Sequence, residues 1–178
     1  MKADDIEYIQ EHLEYELLML RYAFKKIKNN QNISQLDWNA NFIAHTAVAR
    51  NLYAFLVKKD DTRNFDAKDF IKGFRAEKTE KIFQTLNRLR EQVLHLGTNR
   101  KQTGEGKAGL EDSVRVNEWI EREMARFVVI MEQQNPGVWL PDRADPCKGP
   151  KDASSGYTGP AGPSASSHVV GVTVVPVR

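Results

Sequence analysis

The chain is 178 residues long and carries 26 Lys and Arg against 24 Asp and Glu, a net charge of +2. That length suits one domain, and so small a positive excess does not by itself announce a nucleic-acid binder. The single cysteine, Cys147, excludes a disulfide framework within the chain and any zinc site built on paired thiolates.

The predicted elements follow in chain order. The first helix runs from about Asp5 to Lys28, with an apolar stripe of Ile6, Ile9, Leu13, Leu17, Leu20, Phe24 and Ile27 at the three-and-four spacing of a bundle helix. Acidic Asp4 and Asp5 suit its positive N-terminus, and Lys25, Lys26 and Lys28 suit its C-terminus. The second helix starts at Ser34, an N-cap with Asp37 completing an approximate capping box and with Ile33 and Trp38 placed for a hydrophobic staple. It runs to about Val57 and is apolar nearly all round, which predicts a central position in the bundle. On that reading Arg50 is buried and needs a partner or an open cavity.

The polar connection from Lys58 to Phe74 contains a local helix start at Asp66-Ala67-Lys68-Asp69-Phe70. The third helix is predicted over about Ala76 to Leu96, with Ile82, Leu86, Leu89, Val93 and Leu96 facing the core. After a flexible loop from Gly97 to Gly109, the fourth runs from about Leu110 to Gln134, with Val116, Ile120, Met124, Phe127 and Met131 on its inner face. All seven prolines lie at or after Pro136, as expected if the preceding chain is helical. The expected organisation is therefore all-α. A four-helix bundle occupies residues 1–135, and a Pro/Gly/Ser-rich tail, largely disordered, occupies 136–178. Within that tail Val138-Trp139-Leu140 is the segment able to dock back onto the bundle.

Between Lys72 and Lys101, eight Lys and Arg face three Glu, a local excess of five positive charges. That excess surrounds Arg88-Leu89-Arg90-Glu91-Gln92-Val93-Leu94-His95, the one stretch with catalytic potential. Histidine titrates near neutrality and can act as base or acid. Arginine stays charged and grips phosphate with two hydrogen bonds. On an ideal α-helix Arg90 and His95 stand about 140° apart, while Arg88 and His95 stand about 20° apart. If the helix loosens near its end, Arg90 swings towards His95, so the choice between Arg88 and Arg90 stays open. One Arg and one His make an incomplete set for metal-independent RNA cleavage, and a two-fold dimer would double it.

Arg90-Glu91-Gln92-Val93-Leu94-His95 resembles the Arg-polar-x3-5-His signature of the HEPN superfamily, with Glu91 in the polar slot, where Asn or Asp is more usual. Ala49-Arg50-Asn51-Leu52-Tyr53-Ala54-Phe55-Leu56, Asp66-Ala67-Lys68-Asp69-Phe70, and Gln92 to Leu96 followed by Arg100 are similar to an uncharacterised bacterial, abortive-infection-like branch. The resemblance covers about Asp5 to Gln134. It implies a HEPN-like helical bundle, a homodimer, and a metal-independent endoribonuclease of a toxin or antiviral defence system. His95 would be the acid/base and Arg90 the phosphate-binding cation, with Arg50, Asn51, Arg88, Glu91 and Arg100 in binding positions and Arg50 and Asn51 lining the same pocket. The alternative it leaves open is a non-catalytic module that binds a nucleotide, RNA or a partner protein, such as a cognate antitoxin. A third reading is an unrelated four-helix scaffold in which the Arg/His pair is accidental.

No metal and no cofactor are expected. The His, Cys and carboxylate spacings suit no ion, and Gly104-Glu105-Gly106 lacks the Lys-Ser/Thr of a phosphate cradle. His12 and His45 are read as structural, and His168 is assigned no role. No run approaches the ~18 apolar residues of a membrane span. The N-terminus leads into an amphipathic helix instead of an apolar signal core, so the expected location is the cytoplasm, away from membranes.

Overall fold

A computed structural model of the chain describes residues 3–29, 33–57, 65–94 and 107–139. The fold is helical, with no strand among the described residues. The tail from residue 140 onward, with its β-prone Val169–Val175 run, lies outside them.

The first helix is continuous but not uniform. α1 (Ala3–Glu7) passes through a π-helical turn (Tyr8–Leu13) into α2 (Glu14–Lys28), with right-handed helical backbone at both joins. Ile9, Leu13, Leu17, Leu20 and Ile27 are buried, as the apolar spacing predicts. Asn29 leaves the helical region and closes the helix by donating its N–H to the Lys25 carbonyl.

α3 (Gln35–Val57) returns antiparallel to α2. Near its start the Trp38 indole N–H donates to the Ile27 carbonyl at 3.1 Å, and further along Asn51 donates to Glu16 at 3.2 Å. Ser34 caps it as expected, its hydroxyl accepting the Asp37 N–H. Asp37 completes the cap differently from a capping box, because its carboxylate accepts the Ser34 hydroxyl. α3 is not enclosed on all sides, however. Phe42, Ala49, Leu52, Phe55 and Leu56 are buried, but Leu36 is 77% and Ile43 46% exposed, and Arg50 stands in solvent.

α4 (Ala67–Phe70) is a single turn held by a full capping box. The Asp66 carboxylate accepts the Lys68 N–H, and the Asp69 carboxylate accepts the Asp66 N–H. Phe70 stacks on Tyr8 and meets Phe127 edge-on, which anchors this turn to the core. Replacing Asp66 with Ala removes the cap, and an expected loss of about 1 kcal/mol is measurable by urea unfolding. Gly73 at φ +82° makes the turn that follows, a conformation costly for any residue with a Cβ.

Residues 74–79 are not helical, so the third helix starts four residues later than the apolar spacing suggested. Thr79 is its N-cap, accepting the Ile82 N–H. α5 (Glu80–Leu89) then gives way to a second π-helical segment, Arg90–Leu94. α6 (Leu110–Gln134) has the predicted bounds and runs antiparallel to α5. Arg88 pairs with Asp112 at one end, and Glu77 with Arg122 at 3.3 Å at the other. A bidentate contact from Arg21 to Glu121 at 2.7 and 2.8 Å joins α2 to α6.

Val116, Ile120, Met124, Phe127 and Met131 of α6 form the centre of the core. Beyond α6, Gly137 turns the chain at φ +79°. Val138 is then buried, its carbonyl accepting from Gln10, and Glu132 receives the N–H groups of Gly137 and Trp139. The packed unit therefore continues to Trp139, past the composition change at residue 135.

Candidate functional site

The end of α5 holds the basic residues singled out by the sequence. Arg88 is committed, because its guanidinium pairs with Asp112 on the first turn of α6, and Arg115 approaches the same carboxylate at 3.8 Å. Arg90 is held more weakly. Its only described ion pair is to the adjacent Glu91 at 3.9 Å, and 41% of its side chain is exposed, although its Nε is buried without a partner. A surface pair at that distance contributes little, so the Arg90 guanidinium stays accessible to an anion.

The backbone changes register at this residue. An α-helix spaces its hydrogen bonds i to i+4, whereas a π-helix spaces them i to i+5 and brings side chains five apart towards one face. The π segment begins at Arg90. Val93 within it is half-buried against the core. His95 and Arg100 lie outside the described residues.

Arg50 and Asn51 are brought together elsewhere. α3 runs in the same direction as α6, with Phe55 edge-on to Phe127 and Tyr53 against Trp119. The negative charge of Glu80 reaches the Tyr53 hydroxyl, which burial chiefly, and that charge secondarily, push above its ordinary pKa. The start of α5 is thus level with the C-terminal part of α3, and ten residues of helix carry Arg90 about 15 Å further on. Arg50 and Asn51 line a cleft to which Arg88, Arg90 and Glu91 contribute nothing. Both are exposed, in place of the buried network expected around Arg50.

They line a cleft of about 470 Å³ between the first helix and α3. Its polar wall is Tyr8, His12, Glu16, Arg50, Asn51 and Asp66. Leu13, Leu52 and Phe55 form an apolar floor, all three buried, and Phe65 packs on Tyr8 with ring centroids 4.5 Å apart. The volume falls within the range of small-ligand sites. The sequence reading set His12 aside as structural. The signal it passed over is the four-residue spacing of Tyr8, His12 and Glu16, which sets polar groups along one side of the first helix. Burial, and secondarily the charge of Glu16, raise the Tyr8 hydroxyl above its ordinary value and keep it a proton donor at neutral pH.

His45 is fully buried where α3 faces α6, as expected of a structural histidine, and burial drives its pKa down to about 4. Among the described residues no three His, Cys, Asp or Glu side chains form a cluster that could hold a metal ion, and no helix is long and apolar enough to cross a membrane. Comparison of the chain with protein-family models, curated proteins and solved structures found no match.

Proposed function

We propose that this chain is a four-helix, HEPN-like module that acts on RNA through the end of α5, as a metal-independent endoribonuclease of a cytoplasmic toxin or defence system. Arg90 grips the scissile phosphate and His95 serves as acid/base. The observation that carries this reading is the π-helical register opening at Arg90. His95 follows Arg90 by five positions in the sequence, a spacing that a π register favours and an α register opposes, and the π segment itself runs from Arg90 to Leu94. The engagement of Arg88 by Asp112 supports Arg90 as the phosphate ligand, because Arg88 already has a carboxylate partner, shared with Arg115, from another helix. The local excess of positive charge between Lys72 and Lys101 favours a polyanion. A homodimer fits the apolar residues that α3 leaves in solvent, Leu36, Ala40 and Ile43, at helical spacing on its outer side.

A second reading, a non-catalytic module that binds RNA, a nucleotide or a partner such as an antitoxin, is favoured by Glu91. Its carboxylate lies 3.9 Å from Arg90 and opposes phosphate at that point. Cleavage of total RNA in EDTA by wild type, Arg90→Ala, Arg88→Ala and His95→Ala separates the two. The endoribonuclease reading expects cleavage by wild type and Arg88→Ala, and loss of cleavage in the Arg90 and His95 variants. RNA retention without cleavage by wild type selects the binding module. Equal cleavage by all four overturns the assignment of this site.

A further inference from the structure

Two opposite charges stand in the cleft between the first helix and α3 without pairing to each other. Glu16 accepts a hydrogen bond from Asn51 through Oε1, while its Oε2 is buried with no partner. A buried acceptor left unmade is costly, so a donor arriving at Oε2 is favoured. Arg50, on the same wall, is exposed and forms no ion pair with any described residue. Its planar fork suits a carboxylate. The other acid of the cleft, Asp66, is already committed to the cap of α4 and to Lys68 at 3.8 Å.

We infer that this cleft binds a free α-amino acid with an apolar side chain, its ammonium on Glu16, its carboxylate on Arg50, and its side chain on the Leu13, Leu52 and Phe55 floor beside the Tyr8–Phe65 ring pair. An α-amino acid carries a donor cation and an acceptor anion on one carbon, matching two unpaired charges of opposite sign in one cleft. An ammonium also brings three N–H donors, enough to satisfy Glu16 Oε2 and others nearby. The same pair of charges argues against a phosphorylated ligand, because Glu16 repels a dianion that a single arginine would have to hold. The π-helical turn Tyr8–Leu13 sets the wall that carries Tyr8 and His12, and such turns recur at binding sites. Arg90 does not line this site, which does not depend on the RNA-cleavage reading.

The test is calorimetric titration of the full chain with L-phenylalanine and L-leucine. Two single-charge analogues of phenylalanine, 3-phenylpropionate and 2-phenylethylamine, and inorganic phosphate serve as comparisons. Saturable binding of at least one amino acid is expected, with each analogue about tenfold weaker or worse. Arg50→Ala and Glu16→Gln, checked for helicity by circular dichroism, should each weaken that binding by a similar factor. Glu16→Gln keeps the side-chain length and an acceptor for Asn51, so its loss reports the missing charge. No heat with either amino acid at millimolar concentration overturns the proposal. So does an analogue or phosphate that binds as well as the amino acids, or affinity unchanged in both folded variants.

Discussion

Glu123→Ala is expected to be the most destabilising single substitution among the buried polar groups, costing roughly 2–4 kcal/mol. Glu123 is 0% exposed on α6, a costly place for a carboxylate without partners. Its carboxylate is matched on every side. Oε2 pairs with Arg126 and accepts the Glu77 N–H at 3.2 Å, and Oε1 accepts Arg122 Nε at 3.2 Å. Arg126 continues the network by lying over the Phe74 ring at 5.8 Å, and the Trp119 indole N–H donates to the Glu77 carbonyl at 2.9 Å. One carboxylate therefore ties the non-helical segment 74–79 to α6 and fixes where α5 begins. Both arginines are about half exposed, 53% and 48%, and can recover water once Glu123 is gone, which holds the cost below that of stranding a fully buried charge. The Glu77 N–H loses its carboxylate acceptor, and the emptied volume lies at a fully buried position. Glu123→Gln keeps the volume and one acceptor and should lose less. Urea unfolding gives both values. A Glu123→Ala midpoint equal to wild type, at unchanged slope, would show that the network contributes nothing.

The network also explains why one boundary was illegible in the sequence. The amphipathic period alone carries the third helix back to Ala76, but the backbone there is occupied by α6, with the Glu77 N–H on Glu123 and the Glu77 carbonyl on Trp119. Such tertiary hydrogen bonds override local propensity, so Thr79 becomes the cap. Where local chemistry suffices, the reading transfers directly. Asp66 and Asp69 cap α4, Ser34 caps α3, and the α6 stripe from Val116 to Met131 is buried throughout. The two π turns are invisible to periodicity, because a search at 3.6 residues per turn assumes the register that they break.

Arg88, Arg90 and Glu91 stand at the end of α5 as their sequence positions require, and the difference between the two arginines comes from Asp112 on another helix, which no local reading shows. The position of α3 was misjudged for a related reason. A helix that is apolar all round reads as central, but a composition count cannot distinguish a face covered by this chain from one left open, as at Leu36 and Ile43. The same composition predicts a buried Arg50, whereas the residue is exposed. Its exposure at the cleft mouth, opposite His12 and Glu16 on a helix some 35 positions earlier in sequence, is a property of the α2–α3 pairing and not of either segment.

Acidification provides the second large expected effect. Lowering the pH from 7 to 4 should remove about 3 kcal/mol of folding stability through His45 alone. Its imidazole is 0% exposed, with the Phe24 ring 5.5 Å away and the Asn117 side chain as a weak polar neighbour. Burial pushes its pKa from 6.5 down to about 4, and Asn117 beside it offsets only part of that shift. The folded state therefore holds the ring neutral where the unfolded chain already binds a proton. Above about pH 6.5 neither state is appreciably protonated and the contribution is complete. Between 6.5 and about 4 only the unfolded state gains the proton, so stability falls with pH, and below about 4 both states carry it and the loss levels off. His45→Leu should flatten the wild-type curve by that amount, because acid effects on the carboxylates are common to both proteins and cancel. Parallel urea-derived stability curves for the two from pH 7 to pH 4 would refute the assignment. The strain of a protonated His45 falls on the α3–α6 contact at Asn117, five residues from the Asp112 that holds Arg88. The end of α5 that carries Arg90 should accordingly be among the first regions to lose amide protection as pH approaches 4.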